Sequence, residues 1–66
     1  MEIYVNGKPR EFDGAPTIAE LVQELGVAGR RIAVEVNQDI IPRSSHASRR
    51  LQPGDRVEIV HAIGGG

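Results

Sequence analysis

The 66-residue sequence has no cysteine and no tryptophan, and Lys8 is its only lysine. Without cysteine, the chain can form neither disulfides nor cysteine-ligated zinc sites, and it cannot hold a persulfide on a side chain. Its two histidines, His46 and His61, have no evident third partner, so we predict no bound metal.

Long apolar runs are also missing. No stretch approaches the roughly 20 apolar residues needed to cross a membrane, and Met1 leads directly into a strand-like run rather than a basic and then apolar leader. Eight basic and nine acidic residues give a net charge of −1, which favours neither nucleic acid nor a membrane surface as partner. We therefore expect a cytoplasmic protein, monomeric when free, with no nucleic-acid or membrane partner.

The short length limits what the chain can enclose. A chain of this size buries only about 60% of the surface that it exposes when unfolded, so we predict one domain over residues 1–66 with a core one side chain thick. A substrate cavity walled on all sides does not fit such a core. The length thus favours a carrier, a modifier or a binding module over an enzyme.

The first third of the chain predicts a β-hairpin. Ile3–Val5 is rich in β-formers, and Asn6–Gly7 is the dipeptide that type I′ turns prefer, because both central residues need positive φ. A second strand over about Lys8 to Phe12 would return beside the first. Pro9 has no amide hydrogen, so this second strand is expected at an edge of the sheet.

A single helix is predicted next, from about Ile18 to Leu25. Thr17 is a suitable N-cap residue, and Glu20 stands where a capping box needs its acidic partner. Gly26 can take the left-handed conformation that ends a helix. The apolar residues share one face: Ile18, Leu21, Val22 and Leu25.

The remaining chain alternates between strands and turns. Ile32–Val36 alternates apolar and other residues as a half-buried strand does, and Ile40–Ile41 is a shorter strand that Pro42 stops. The polar segment from Arg43 to Arg50 is expected to be irregular, and Pro53–Asp55 is a turn. A last strand is predicted over Arg56 to His61.

These elements predict an α+β domain. One helix must cover one face of a mixed sheet of four to five strands, since nothing else can bury that face, and a right-handed crossover brings later strands parallel to the first. This is the β-grasp arrangement. Apolar residues on the opposite, open face would mark a docking surface, and Tyr4 is a candidate for it.

Three glycines end the sequence, in a predicted flexible tail over residues 62–66. Chain ends commonly fray. Here, however, the glycines follow directly on a strand, and a free carboxylate at Gly66 would have no Cβ beside it. A slim tail can enter a narrow channel and bring its carboxylate close to a nucleotide phosphate. The pattern therefore indicates a tail that another enzyme processes, without saying for what purpose.

Several stretches along the whole chain have counterparts in a known family. They are Met1–Gly7, Pro16–Ile18, Val34–Asn37, Ile41–Arg43, Leu51–Val60 and Gly64–Gly66. With them the sequence resembles the ThiS family, the small ubiquitin-like sulfur carrier proteins of thiamine biosynthesis. The Pro-Gly-Asp turn by itself is common in small β domains. The 37–43 run together with the terminal glycines, at this length, is more specific.

The resemblance implies a mechanism centred on Gly66. An E1-like (ThiF-like) adenylating enzyme would use ATP and magnesium to join the Gly66 carboxylate to AMP, and sulfur from a cysteine desulfurase or another persulfide source would convert it to a thiocarboxylate. A ThiG-like thiazole synthase would then take the sulfur. Ile63, Gly64 and Gly65 would contact these partners, and the carrier itself would bind no cofactor.

Three other functions share parts of this pattern. A molybdopterin-type sulfur carrier has the same fold and tail chemistry, but the chain is short for that family and lacks its aromatic-rich last strand. A β-grasp RNA- or ligand-binding regulatory module would use the sheet and the arginine pairs Arg30–Arg31 and Arg49–Arg50, and it would not need the tail. A protein modifier that conjugates to lysines also fits the tail chemistry.

Overall fold

The fold is a five-stranded mixed sheet with one α-helix packed on one face. It is known from a computed structural model that describes residues 1–61. The helix, α1, spans Ile18–Glu24. The strands are β1 Glu2–Val5, β2 Lys8–Glu11, β3 Ile32–Val36, β4 Asp39–Ile41 and β5 Arg56–His61.

The strand order is β2-β1-β5-β3-β4, which places the last strand at the centre of the sheet. β5 runs parallel to β1 and antiparallel to β3, while the β1–β2 and β3–β4 pairs are antiparallel. After β2 and α1 the chain forms the β3–β4 pair, and only then does β5 return beside β1 in the same direction. This confirms the predicted mixed sheet and its β-grasp arrangement.

The amino-terminal hairpin has the predicted turn. Asn6 and Gly7 have φ values of 50° and 83°, and β2 lies at the edge of the sheet. Met1 and Phe12 exchange two hydrogen bonds, of 2.6 and 2.9 Å. Because bonded and non-bonded pairs alternate along an antiparallel ladder, Pro9 occupies a non-bonded position, where its missing N–H costs nothing. β2 ends at Glu11, one residue before the predicted end.

The helix begins at the predicted capping box. The Glu20 amide donates to the Thr17 hydroxyl at 3.1 Å, and Glu20 Oε1 accepts from the Thr17 amide at 2.7 Å. Leu25 is the C-cap, so the regular helix is one residue shorter than predicted. Gly26 then takes a φ of +76°, the left-handed conformation expected of it.

The core is one layer of side chains between α1 and the sheet. It consists of three helix residues, alternate residues of the inner strands, and two further residues, Ile41 of the edge strand β4 and Leu51. The buried apolar residues are Ile3, Val5, Ile18, Leu21, Val22, Val34, Val36, Ile41, Leu51, Val57 and Ile59. Leu25 and Ile32 are partly buried against this cluster. The predicted inward faces of α1 and β3 are confirmed.

The segment expected to be irregular is more ordered than the sequence suggested. It contains a 3₁₀ turn over Arg43–Ser45, and its carbonyls at His46 and Arg49 accept hydrogen bonds from the first helical amides at 2.9 and 3.0 Å. The first amides of a helix have no partner within the helix. The segment therefore supplies acceptors to the helix start, a long-range role that composition alone does not reveal.

Candidate functional site

The candidate site begins on β5, the strand that leads into the terminal glycines. β5 lies between β1 and β3, so strands flank it on both sides. His61, its last residue, pairs with Ile32 of β3 and is exposed. The residues that the sequence predicts to react thus follow directly on a strand that has a neighbouring strand on each side.

Those predicted residues themselves lie outside the described part of the structure. Ile63, Gly64, Gly65 and Gly66 all follow residue 61. What the structure does define is the strand from which they continue and the surface beside that strand.

Asn6 supports β5 on its β1 side. The last β1 residue paired with β5 is Val5, opposite Val57, so Ile59 lies beyond the β1 ladder. The Asn6 side chain replaces the missing neighbour, accepting from the Ile59 amide at 2.8 Å and donating to the Ile59 carbonyl at 3.3 Å. Asn6 therefore belongs to the hairpin turn and also extends the support of β5 toward the tail.

Asn37 supports the start of β5 in a similar way. It also lies in a turn with positive φ, at 51°. Its side-chain oxygen accepts from the Arg56 amide at 3.0 Å, and its amide group donates to Asp55 at 3.0 Å. The other Asp55 oxygen accepts from the Gln52 amide at 2.8 Å. Two turn asparagines, far apart in sequence, thus bond the backbone of β5 near its two ends.

The open face of the sheet, opposite α1, carries two separate exposed apolar side chains, one on β5 and one on β4. Within residues 1–61 the exposed large apolar side chains are Ile40 and Val60, at 72% and 53% exposure. Val60 pairs with Ala33, and Ile40 pairs with Glu35. Isolated exposed apolar residues are common, but these two lie on one face close to the strand that leads into the tail.

Tyr4 also faces the open side, as predicted, because its neighbours Ile3 and Val5 are both buried. The Arg56 guanidinium lies 5.0 Å from the centre of the Tyr4 ring, a cation–π geometry. The Tyr4 hydroxyl donates to Glu2 at 3.3 Å. Tyr4 is therefore engaged with its neighbours, and the apolar surface that remains uncovered is at Ile40 and Val60, which sequence reasoning did not single out.

The histidines have separate environments. His46 Nε2 lies 3.1 Å from the Ile41 carbonyl, to which it donates when it carries the proton, whereas His61 is exposed at the end of β5. Residues 1–61 contain no cluster of three or more acidic or histidine side chains that could hold a metal ion. Within the same residues, α1 is too short to span a bilayer.

The topology and the position of the terminal glycines define a class of protein. A mixed sheet with parallel β1 and β5 at its centre, covered by one helix, is the ubiquitin-like β-grasp fold, and the glycine-rich end follows its central strand. A crystal structure of the thiamine biosynthesis protein ThiS from Geobacter metallireducens has this fold. It superimposes with a TM-score of 0.86 over 100% of both chains at 35% sequence identity.

Sequence comparisons identify the family. The ThiS family model matches residues 3–66. The sulfur carrier protein ThiS of Thermus thermophilus is 34% identical over 97% of this chain and 98% of its own length. The chain therefore belongs to the ThiS family, the sulfur carrier proteins of thiamine biosynthesis.

Two longer proteins also contain a related segment. A thiazole synthase from Paramagnetospirillum magneticum is 46% identical over the whole of this chain, which corresponds to 20% of that protein. A thiazole synthase from Magnetococcus marinus matches at 38% identity with the same 20% coverage. The chain thus spans about a fifth of the length of these two relatives.

Proposed function

We propose that the chain carries sulfur as a thiocarboxylate on Gly66 and delivers it for synthesis of the thiazole ring of thiamine. The observation that carries this proposal is the family match over residues 3–66, which includes the terminal glycines. The chain has no cysteine, so a sulfur atom held by the protein needs an attachment other than a thiol. A carboxyl terminus provides one.

The first step is activation. A carboxylate is a poor electrophile, so an E1-like adenylating enzyme would transfer AMP from ATP to the Gly66 carboxylate, with magnesium, and release pyrophosphate. Glycines at 64 and 65 have no Cβ to obstruct the approach of the backbone to the nucleotide. In this scheme the chain is a co-substrate, and the partner supplies the acid–base groups and the metal.

The second step introduces sulfur. The terminal sulfur of a persulfide, formed on a cysteine desulfurase or another donor, attacks the acyl carbon, and AMP leaves. A second thiol then reduces the resulting acyl disulfide, which leaves a thiocarboxylate on Gly66. Atoms and electrons balance with the persulfide as sulfur source and the thiol as reductant.

The acceptor proposed for this sulfur is a thiazole synthase. Two proteins named thiazole synthase contain a segment similar to the entire chain. A segment fused to a synthase in one protein commonly acts with that synthase when the two are separate chains, and this supports a ThiG-like partner. Ile63, Gly64 and Gly65 would line the contact with both partners.

The described structure supports this role through β5. Delivery to two enzymes requires a tail that starts from a fixed base, because a small misplacement of the reacting group costs much of the rate. The backbone of β5 is bonded by β1 and β3 and by the side chains of Asn6 and Asn37. β5 is therefore bonded on both sides as far as Ile59, and Val60 and His61 pair with β3.

The test is the intact mass of the protein after incubation with an E1-like adenylating enzyme, ATP, magnesium and a persulfide donor. We expect a mass gain equal to the replacement of one oxygen by one sulfur, which fragmentation maps to Gly66. An unchanged mass, with the partners active on another carrier, would contradict the proposal.

A chain that lacks Gly65 and Gly66 is the matched control. It should show no mass gain, whereas a binding module would keep its affinity for its ligand after this deletion. The same experiment therefore separates carrier from binding module. Supply of sulfur from the loaded protein to a thiazole synthase, measured as thiazole formed, then separates thiamine from molybdopterin synthesis.

A further inference from the structure

The turn between β1 and β2 contains a chemically reactive dipeptide. In an Asn-Gly sequence the glycine amide nitrogen can attack the asparagine side-chain carbonyl carbon, and this is easiest before glycine because no Cβ obstructs the approach. Asn6 and Gly7 are both exposed, so water reaches the reacting atoms. The hairpin turn therefore places a site of slow covalent change on the surface of the protein.

The fold restrains the side chain that would react. Asn6 Oδ1 accepts from the Ile59 amide at 2.8 Å, and Asn6 Nδ2 donates to the Ile59 carbonyl at 3.3 Å. The Asn6 backbone amide donates to the Val57 carbonyl at 2.8 Å. A side chain bonded at both polar atoms cannot turn toward another group without losing both bonds. Departure of Nδ2 in the reaction breaks the second bond in any case.

The other asparagine of the chain provides an internal reference. Asn37 also lies in a turn with positive φ, and its side chain bonds the Arg56 amide and Asp55. Its next residue is Gln38, however, which has a Cβ beside the attacking nitrogen. Asn37 thus has a similar restraint without the reactive neighbour.

We propose that Asn6 is a site of spontaneous deamidation whose rate in the folded protein is set by its two hydrogen bonds to Ile59. The Gly7 nitrogen bonds to the Asn6 side-chain carbonyl carbon and gives up its proton, and the side-chain nitrogen leaves as ammonia. Water then opens the five-membered imide at either carbonyl, which leaves aspartate or isoaspartate at position 6. The net reaction is hydrolysis of an amide, with no oxidation or reduction.

Either product weakens the support of β5 near its end. A carboxylate has no hydrogen to donate, so the bond to the Ile59 carbonyl is lost and a negative charge lies beside that oxygen. Isoaspartate also adds a methylene to the backbone of a two-residue turn, whose length sets the register of the hairpin. Deamidation at Asn6 therefore couples the chemical ageing of the chain to the strand that leads into the tail.

The experiment follows deamidation of the full chain at one mildly alkaline pH, folded and in concentrated guanidinium chloride. Peptide mapping detects it as a mass gain equal to replacing NH₂ by OH. We expect conversion at Asn6 to be at least roughly tenfold slower in the folded chain. In denaturant it should be much faster at Asn6 than at Asn37. Equal rates in the folded and unfolded chain would overturn the restraint, and no conversion at Asn6 in denaturant would overturn the site.

Denaturant below the unfolding transition separates the Ile59 bonds from the turn itself. Amide hydrogen exchange at Ile59 reports opening of those bonds, whereas exchange at Lys8, which pairs with Val5 across the turn, reports opening of the hairpin. The deamidation rate should rise in proportion to exchange at Ile59. A rate that follows Lys8 and not Ile59 would show that the turn alone provides the restraint.

The product is tested in the same way. The deamidated chain, separated by its added negative charge, is compared with Asn6→Asp and with the matched control Asn37→Asp. Exchange at Ile59 should be faster than in the parent for Asn6→Asp and faster still for the isoaspartate form, but unchanged for Asn37→Asp. Parent-like exchange at Ile59 in the deamidated chain would overturn the predicted link to β5.

Discussion

At the scale of single residues, the capping box couples helix stability to pH. Hydrogen bonding with the Thr17 amide and, to a lesser extent, with the Thr17 hydroxyl lowers the pKa of the Glu20 carboxylate below its ordinary value of 4.5. The charge of Arg50 makes a smaller contribution in the same direction. A pKa that is lower in the folded state means that folding favours the ionised form. The stabilisation is therefore present above the unfolded-state pKa and lost as pH falls through the folded-state pKa.

We predict that Glu20→Gln reduces the loss of stability in acid. Glutamine keeps a side-chain oxygen for the capping box but has no charge to titrate. Urea unfolding at neutral pH and at about pH 3 should show a smaller difference for the variant than for the parent. Identical differences in the two proteins would mean that Glu20 does not contribute to the acid sensitivity.

A second residue-scale prediction concerns Asn6. Asn6→Gly keeps a residue suited to the positive φ of the turn but removes both hydrogen bonds to Ile59. We expect faster amide hydrogen exchange at Ile59, by the equivalent of about 1 kcal/mol. Asn6→Asp, which retains an acceptor for the Ile59 amide, is the comparison and should retain more protection there. Unchanged exchange in Asn6→Gly would show that the side chain does not support β5.

At the scale of elements, the helix depends on its surroundings. A seven-residue helix is too short to be stable alone in water. Its buried stripe packs on the sheet, and the 43–51 segment bonds its first amides. That segment is in turn anchored by Leu51, which is buried and whose amide donates to the Pro16 carbonyl at 2.8 Å.

We therefore predict that Leu51→Ala is as damaging as Leu21→Ala, although Leu51 lies outside every helix and strand. Each should cost about 2–4 kcal/mol of unfolding free energy, since each leaves a cavity in the same core. Ile40→Ala, at an exposed site, should stay within about 0.5 kcal/mol of the parent. Urea denaturation of the three variants tests this, and a small effect of Leu51→Ala would mean that the segment is not anchored by its side chain.

At the scale of the whole molecule, the helix and the sheet share one core. Neither has a second layer to bury its apolar face, so loss of one exposes the other. Small single-core domains usually unfold in one cooperative step. We predict that far-ultraviolet circular dichroism and the fluorescence of Tyr4 give the same midpoint in urea. Separate midpoints would show that the sheet and the helix unfold independently.

The local features of this protein could be predicted from its sequence. The Asn6–Gly7 turn, the Thr17–Glu20 capping box and the inward faces of α1 and β3 depend on residues within a few positions of each other. The turn needs positive φ at two neighbouring residues, and the capping box joins residues three positions apart. Strand and helix faces repeat every two and 3.6 residues, so all of these are short-range properties. The terminal glycines were singled out for the same reason, and the role of Gly66 stays a prediction because residues 62–66 lie outside the described structure.

Only the tertiary structure decided which distant residues meet. The pairing of Glu35 with Glu58, the bonds from Asn6 to Ile59 and the burial of Leu51 all join residues far apart in the sequence. Alternation along one strand shows which side chains share a face, but not which residue of another strand lies opposite, because register depends on both strands and on the connection between them. The predicted chemistry of the tail thus rests on the local sequence, whereas the surface around β5 exists only in the folded sheet.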